Sequence, residues 1–163
     1  MTNAKKLAQA GIFIAVGVVC STFSIPVGAA KVFPVQHMIN VLAGVTLGPT
    51  YAVGMAFVTS LIRVMIGTGS LLAFPGSMCG AFLCSMLYKH TKKPSLAFAG
   101  EVVGTGIIGA LLAYPVAAFI MSREAALFGF VVPFIMSSAA GAGMSYVFIT
   151  ALRKTGFYKN MEV

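Results

Sequence analysis

The 163-residue chain has no tryptophan and no aspartate, and its only acids are Glu101, Glu124 and Glu162. Charged residues make up 9% of it, against roughly 25% in soluble domains, which excludes a water-soluble globule. Disorder is excluded too, because a disordered chain needs low hydrophobicity and high net charge, whereas 59% of these residues are hydrophobic. The three cysteines, Cys20, Cys79 and Cys84, sit in apolar runs without a CxxC or Cys/His zinc spacing and read as small core residues. Three acids and two histidines assemble neither a paired carboxylate site nor a metal triad. No metal or cofactor is expected.

What is present is apolar length. Mean hydropathy is +0.98, and a helix needs about 20 apolar residues to cross roughly 30 Å of hydrocarbon. The sequence predicts six spans forming one all-α bundle, a single membrane domain over residues 1–163. The first runs from about Ala4 to Ser24. Lys5, Lys6 and the run from Leu7 imitate a secretory signal, but the run's length favours an uncleaved span. A broken loop follows over Ile25–Pro34. A short helix then starts near Pro34, where proline suits the first helical position, and stops at Leu47-Gly-Pro-Thr50. So short an element implies non-helical backbone at membrane depth, which is tolerated only beside protein or a water-filled cavity. The third span covers Tyr51–Ile66 and breaks at Gly67-Thr-Gly-Ser70. The fourth covers Pro75–Tyr88, the fifth Leu96–Met121 with a bend at Pro115, and the sixth Leu127–Leu152.

Lys and Arg outnumber Asp and Glu by 11 to 3. Alternating the spans places eight of those bases, Lys5, Lys6, Lys89, Lys92, Lys93, Arg153, Lys154 and Lys159, on one side. The positive-inside bias makes that side the cytoplasm and puts both termini there. The charge therefore belongs to a multi-pass protein of the cell membrane rather than to a nucleic-acid surface.

Polar residues at membrane depth are costly and mark pathways or pockets. They are Lys31, Gln36, His37, Asn40, Arg63, Thr68, Ser70, Ser77, Glu101 and Thr105. Gln36 and Asn40, and Phe33 and His37, are four apart and share faces of the short helix. Phe33 and Phe74 precede prolines at two outer helix starts, where they either stack on a flat ligand or anchor the interface. Lys31 reads as a site residue or a solvated loop lysine, and His37 as a ligand contact or a packed histidine. Arg63 and Glu101 face the pocket, or pair with each other across about 10 Å of depth, or serve apart, Arg63 snorkelling outward and Glu101 as a protonated hydrogen-bond donor between helices.

Catalysis finds little support. There is no GxxxxGK[ST] phosphate loop. Gly104-Thr-Gly106-Ile-Ile-Gly109 matches GxGxxG but lies in an apolar span without a preceding strand, so its small residues serve close helix approach instead. No nucleophile-type motif surrounds His37 or Ser77. The chain is expected not to be an enzyme. Ala4, Ala8, Gly11 and Ala15 form a small-residue stripe on the first helix, suited to a partner helix or to packing within the bundle.

Three segments, Phe23–Met38, Leu71–Met78 and Gly100–Pro115, together with six spans and a small-residue first helix, resemble the ThiW type of substrate-binding S components of energy-coupling factor (ECF) vitamin transporters. The resemblance covers almost the whole chain. It implies capture of a thiamine precursor from outside, most often hydroxyethyl thiazole. It also implies delivery inward together with a transmembrane T component and two ATP-binding-cassette subunits. The first-helix stripe would be the docking face, although the family's AxxxA stands here as Gly11-Ile-Phe-Ile-Ala15. Phe33, Phe74, Tyr114, Gln36, His37, Asn40 and Ser77 suit a thiazole with a hydroxyethyl arm, while Lys31 and Arg63 equally suit an acidic or phosphorylated ligand. A self-contained proton-coupled transporter using Glu101 is the alternative, and an intramembrane enzyme a more distant one.

Overall fold

The computed structural model describes residues 2–27, 30–122, 124 and 126–154; Arg123, Lys159 and Glu162 lie outside them. Six helices carry the fold: α1 (Asn3–Val19), α2 (Pro34–Thr46), α3 (Pro49–Met65), α4 (Ala73–Thr91), α5 (Pro94–Ile120) and α6 (Val131–Lys154). α1 ends in a tighter turn over Cys20–Thr22. Proline opens α2, α3 and α5, where its missing N–H costs nothing. Gly48 and Gly67 take positive φ (83° and 76°) at the turns that follow α2 and α3, a conformation that disfavours other residues.

The all-α expectation holds, with one addition. The segment read as an irregular loop contains a small antiparallel hairpin, Ile25–Val27 with Ala30–Val32. Its extended backbone bonds to itself and thereby satisfies groups that an irregular loop would leave unpaired. Several boundaries also shift: the last helix begins at Val131 rather than Leu127, after a turn that holds Phe128–Val131, α4 runs Ala73–Thr91 rather than Pro75–Tyr88, and α3 and α5 begin at Pro49 and Pro94 rather than at Tyr51 and Leu96.

α1, α5 and α6 are long and apolar enough to cross a membrane, α3 is a shorter apolar helix, and α2, at 13 residues, rises only about 20 Å. α2 is the central element. Ten of its residues are buried, and it packs against α1, α3, α4, α5 and α6. Ile39, Ala43 and Leu47 join Ala10, Met55, Ala56 and Ala81 in one core, and Val41 and Val45 join Cys84, Tyr88, Ala97, Ala142 and Ile149 in another. Around this interior runs an apolar exterior that includes Leu7, Phe23, Met65, Phe82, Phe119, Phe128, Val132 and Phe148. So extensive an exposed apolar surface suits lipid rather than water, and the chain is a membrane protein.

α5 is not a uniform helix. Its turns widen over Gly104–Gly109 and again over Val116–Ile120, where Met121 N–H reaches back five residues to Val116 O (3.0 Å). The second widening follows Pro115, whose ring removes a helical donor. The first coincides with close packing against α4, since a Cβ at Gly104 would stand 2.6 Å from Cys79 O. This is what the GxGxxG run does here: it brings two helix backbones together.

Candidate functional site

A cavity of about 540 Å³ opens at the hairpin end of the bundle, within the size range of small-molecule sites. Phe33, Gln36 and His37 reach it from the first turn of α2, and Arg63 from the last turn of α3. The α3–α4 connection adds Gly67 to Ser70, and α4 adds Gly76 and Ser77. Thr105 enters from the widened stretch of α5, and Phe130, Pro133, Phe134 and Ser137 from α6 and the turn before it. The location follows from chain geometry. α2 is too short to fill the bundle's height, so the space beyond its start is walled by longer neighbours.

The walls are aromatic on two sides. Phe33 stacks under the Arg63 guanidinium, whose Cζ lies 4.2 Å from the ring centroid, and its backbone N–H is held by Ser137 Oγ at 2.9 Å. Phe130 and Phe134 form a tilted pair with centroids 6.1 Å apart. Gly76 leaves room for Phe134, because a Cβ there would sit 2.9 Å from the ring. Aromatic faces of this kind suit a flat, partly apolar ligand.

The polar groups form two layers. In the lining, Arg63 Nη1 donates to Gln36 Oε1, while Arg63 Nε and Gln36 Nε2 have no partner among the described residues. Ser77 Oγ bonds Ser60 Oγ (2.9 Å) and Ala73 O (2.7 Å). Thr68 Oγ1 meets Ser21 Oγ at 2.8 Å and so ties the end of α1 to the cavity loop. Beneath lies Glu101, fully buried. One of its oxygens, Oε1, accepts from His37 Nδ1 (2.8 Å), Asn40 Nδ2 (3.0 Å) and Thr105 Oγ1 (3.1 Å). Donation from Nδ1 to Glu101 leaves His37 Nε2 as the ring nitrogen available to a ligand. The Asn40 amide, with two protons, also donates to Ser77 O (3.3 Å), while the single Thr105 hydroxyl proton is shared between Glu101 Oε1 and Gly76 O (both 3.1 Å). The layer thus fixes His37 and clamps α2, α4 and α5 together under the cavity floor.

Of the residues expected at a site, Phe33, Gln36, His37, Arg63 and Ser77 line the cavity. Asn40 and Glu101 are in the layer beneath it. Phe74 instead packs on Phe57, with centroids 5.4 Å apart, and neither Phe74 nor Tyr114 lines the cavity. Lys31 belongs to the second hairpin strand, and its side chain is outside the description. Arg63 and Glu101 do not pair: Gln36 and Phe33 hold the first and His37 the second. Thr68, Ser70 and Thr105, noted as polar residues at depth, prove to be lining. Phe130, Pro133, Phe134 and Ser137 were not anticipated. The spacing of four between Phe130 and Phe134 and between Pro133 and Ser137 puts each pair on one face, but spacing alone does not say that this face turns inward.

Among the described residues no His, Cys, Asp and Glu cluster could hold a metal. The small-residue stripe of α1 is exposed at Ala4, Ala8, Gly11 and Ala15, and a Cβ at Gly11 would meet nothing within 4 Å. The stripe therefore does not pack within the bundle.

Searches among curated proteins and among solved structures find no match to the chain. A family model described as thiamine-precursor transporter protein (ThiW) matches residues 7–155. A match over most of the chain agrees with the membrane bundle and its cavity, and the chain belongs to the ThiW family, a family of transporters rather than enzymes.

Proposed function

We propose that the chain is the substrate-capture subunit of an ECF-type importer, a single multi-pass domain of the cell membrane with both termini in the cytoplasm. Its cavity, at the outer end, takes the hydroxyethyl thiazole part of thiamine. The observation that carries this reading is that Phe33 and the Phe130–Phe134 pair line one cavity together with His37, Gln36 and Ser77. Aromatic faces suit a thiazole ring, and convergent polar groups suit its nitrogen and hydroxyl. Phe74 and Tyr114 do not line this seat, and Asn40 and Glu101 support it from below.

Energy comes from elsewhere, since the chain has no phosphate-binding loop of its own. The exposed stripe Ala4, Ala8, Gly11 and Ala15 is the surface proposed to meet the T component, which two ATP-binding-cassette subunits drive. Small residues there let a partner helix approach closely.

Reconstitution in vesicles tests this. Labelled hydroxyethyl thiazole is expected to accumulate only when the T component, both ATPases and ATP are present. Uptake by the chain alone, abolished by a protonophore and by Glu101→Gln, would instead establish a self-contained proton-coupled transporter.

A further inference from the structure

Arg63 is 2% exposed and forms no ion pair among the described residues, where the one buried carboxylate, Glu101, is engaged by His37. Its guanidinium meets an amide oxygen and an aromatic face, both neutral, and its Nε is unpartnered among the described residues. A buried cation without a counter-charge is costly, and this one lines a cavity large enough for a ligand. Gln36 Nε2 beside it is a second unpartnered donor. Ser70 and the start of the 19-residue α4, at Leu72 and Ala73, complete that side of the wall, and a helix start favours negative charge.

We infer that the cavity takes its ligand as an anion, with Arg63 as the counter-charge and the Gln36 amide and Ser70 hydroxyl as further donors. The chemical class is a small aromatic heterocycle bearing a phosphate ester or a carboxylate. The heterocycle would lie against Phe33 and Phe134, and its acidic arm would turn toward the α3–α4 connection. Charge-assisted hydrogen bonds of this kind are shorter and roughly twice as strong as neutral ones. The inference rests on the capture reading above for its choice of probes.

Calorimetric titration of the intact chain in detergent compares hydroxyethyl thiazole, its phosphate ester and its carboxylic-acid analogue, with hydroxymethylpyrimidine and its phosphate alongside. The expected result is that one anionic thiazole binds at least about 10-fold more tightly than the neutral alcohol. Which of the two does so separates phosphate from carboxylate. That ratio should fall to about 1 in Arg63→Gln and stay above about 3 in Arg63→Lys, which keeps the charge but not the fork. Ser70→Ala, in a connection rather than a helix, should weaken the anion more than the alcohol without threatening the fold. Equal or tighter binding of the alcohol would overturn the anion assignment while leaving thiazole capture standing. Anion preference confined to the pyrimidine pair would keep the charge assignment and overturn the thiazole. Binding of none of the probes would overturn both.

Discussion

Glu101 gathers three donors on a single oxygen in a site without solvent exposure. Removing it strands His37 Nδ1 and leaves Asn40 and Thr105 only their backbone acceptors, Ser77 O and Gly76 O, and buried donors left unpaired lose more than their hydrogen bonds are worth. Glu101→Ala is expected to cost on the order of 2–4 kcal/mol, read as a fall in the thermal unfolding midpoint in detergent. Glu101→Gln keeps an acceptor at Oε1 and should lose clearly less. A loss as large in the Gln variant as in the Ala variant would mean that charge, not hydrogen bonding, holds the layer together. Phe33 is tested through binding. Its ring supports Arg63 and lines the cavity, so Phe33→Ala should weaken thiazole binding by about 10- to 100-fold. Phe74→Ala, on the Phe57 side, should change it by less than about 3-fold in the same titration.

At the scale of elements, the site exists because α2 is short and α4 and α5 touch. A Cβ at Gly80 would stand 2.7 Å from Glu101 Oε2, so Gly80→Ala is expected to displace the buried layer and lower ligand affinity at least about 10-fold. At Gly54 nothing lies within 4 Å, and Gly54→Ala should leave affinity unchanged and raise stability by up to about 1 kcal/mol. Parallel titration and thermal unfolding of the two variants check both. Much of this architecture could be read in the sequence, because helix starts and stops are local events. Pro34, Pro49 and Pro94 open helices where proline is free of penalty, and the short α2 marked the cavity through length alone. The α2 and Arg63 contributions followed from polar residues in an apolar setting. The α6 wall did not, since a helix that is apolar all round gives no sign of which face turns inward. Phe74 and Phe134 could not be ranked for the same reason: their choice between lipid and cavity is made by neighbours distant in the chain, Phe57 for one and Gly76 for the other.

For the whole molecule, capture and delivery are proposed to use opposite parts of one bundle. The cavity lies among the hairpin-end residues of α2, α3 and α6, while the exposed stripe of α1 faces outward. α1 reaches the site only through its end, where Ser21 bonds Thr68. A bulky side chain in the stripe should therefore separate the two activities. Gly11→Leu is expected to leave the thiazole dissociation constant within about 3-fold of the parent and to abolish ATP-driven uptake in reconstituted vesicles. If binding falls in step with uptake, the stripe is not a docking face separate from capture.

The measurement that bears most directly on the central claim is calorimetric titration of the isolated chain, free of any partner, with hydroxyethyl thiazole and its anionic forms. Capture by this bundle alone predicts one-to-one binding by at least one of them, with a dissociation constant of about 1 μM or tighter, that is lost together with Phe33. No heat of binding from any of these compounds, in protein whose thermal unfolding is cooperative, would contradict it.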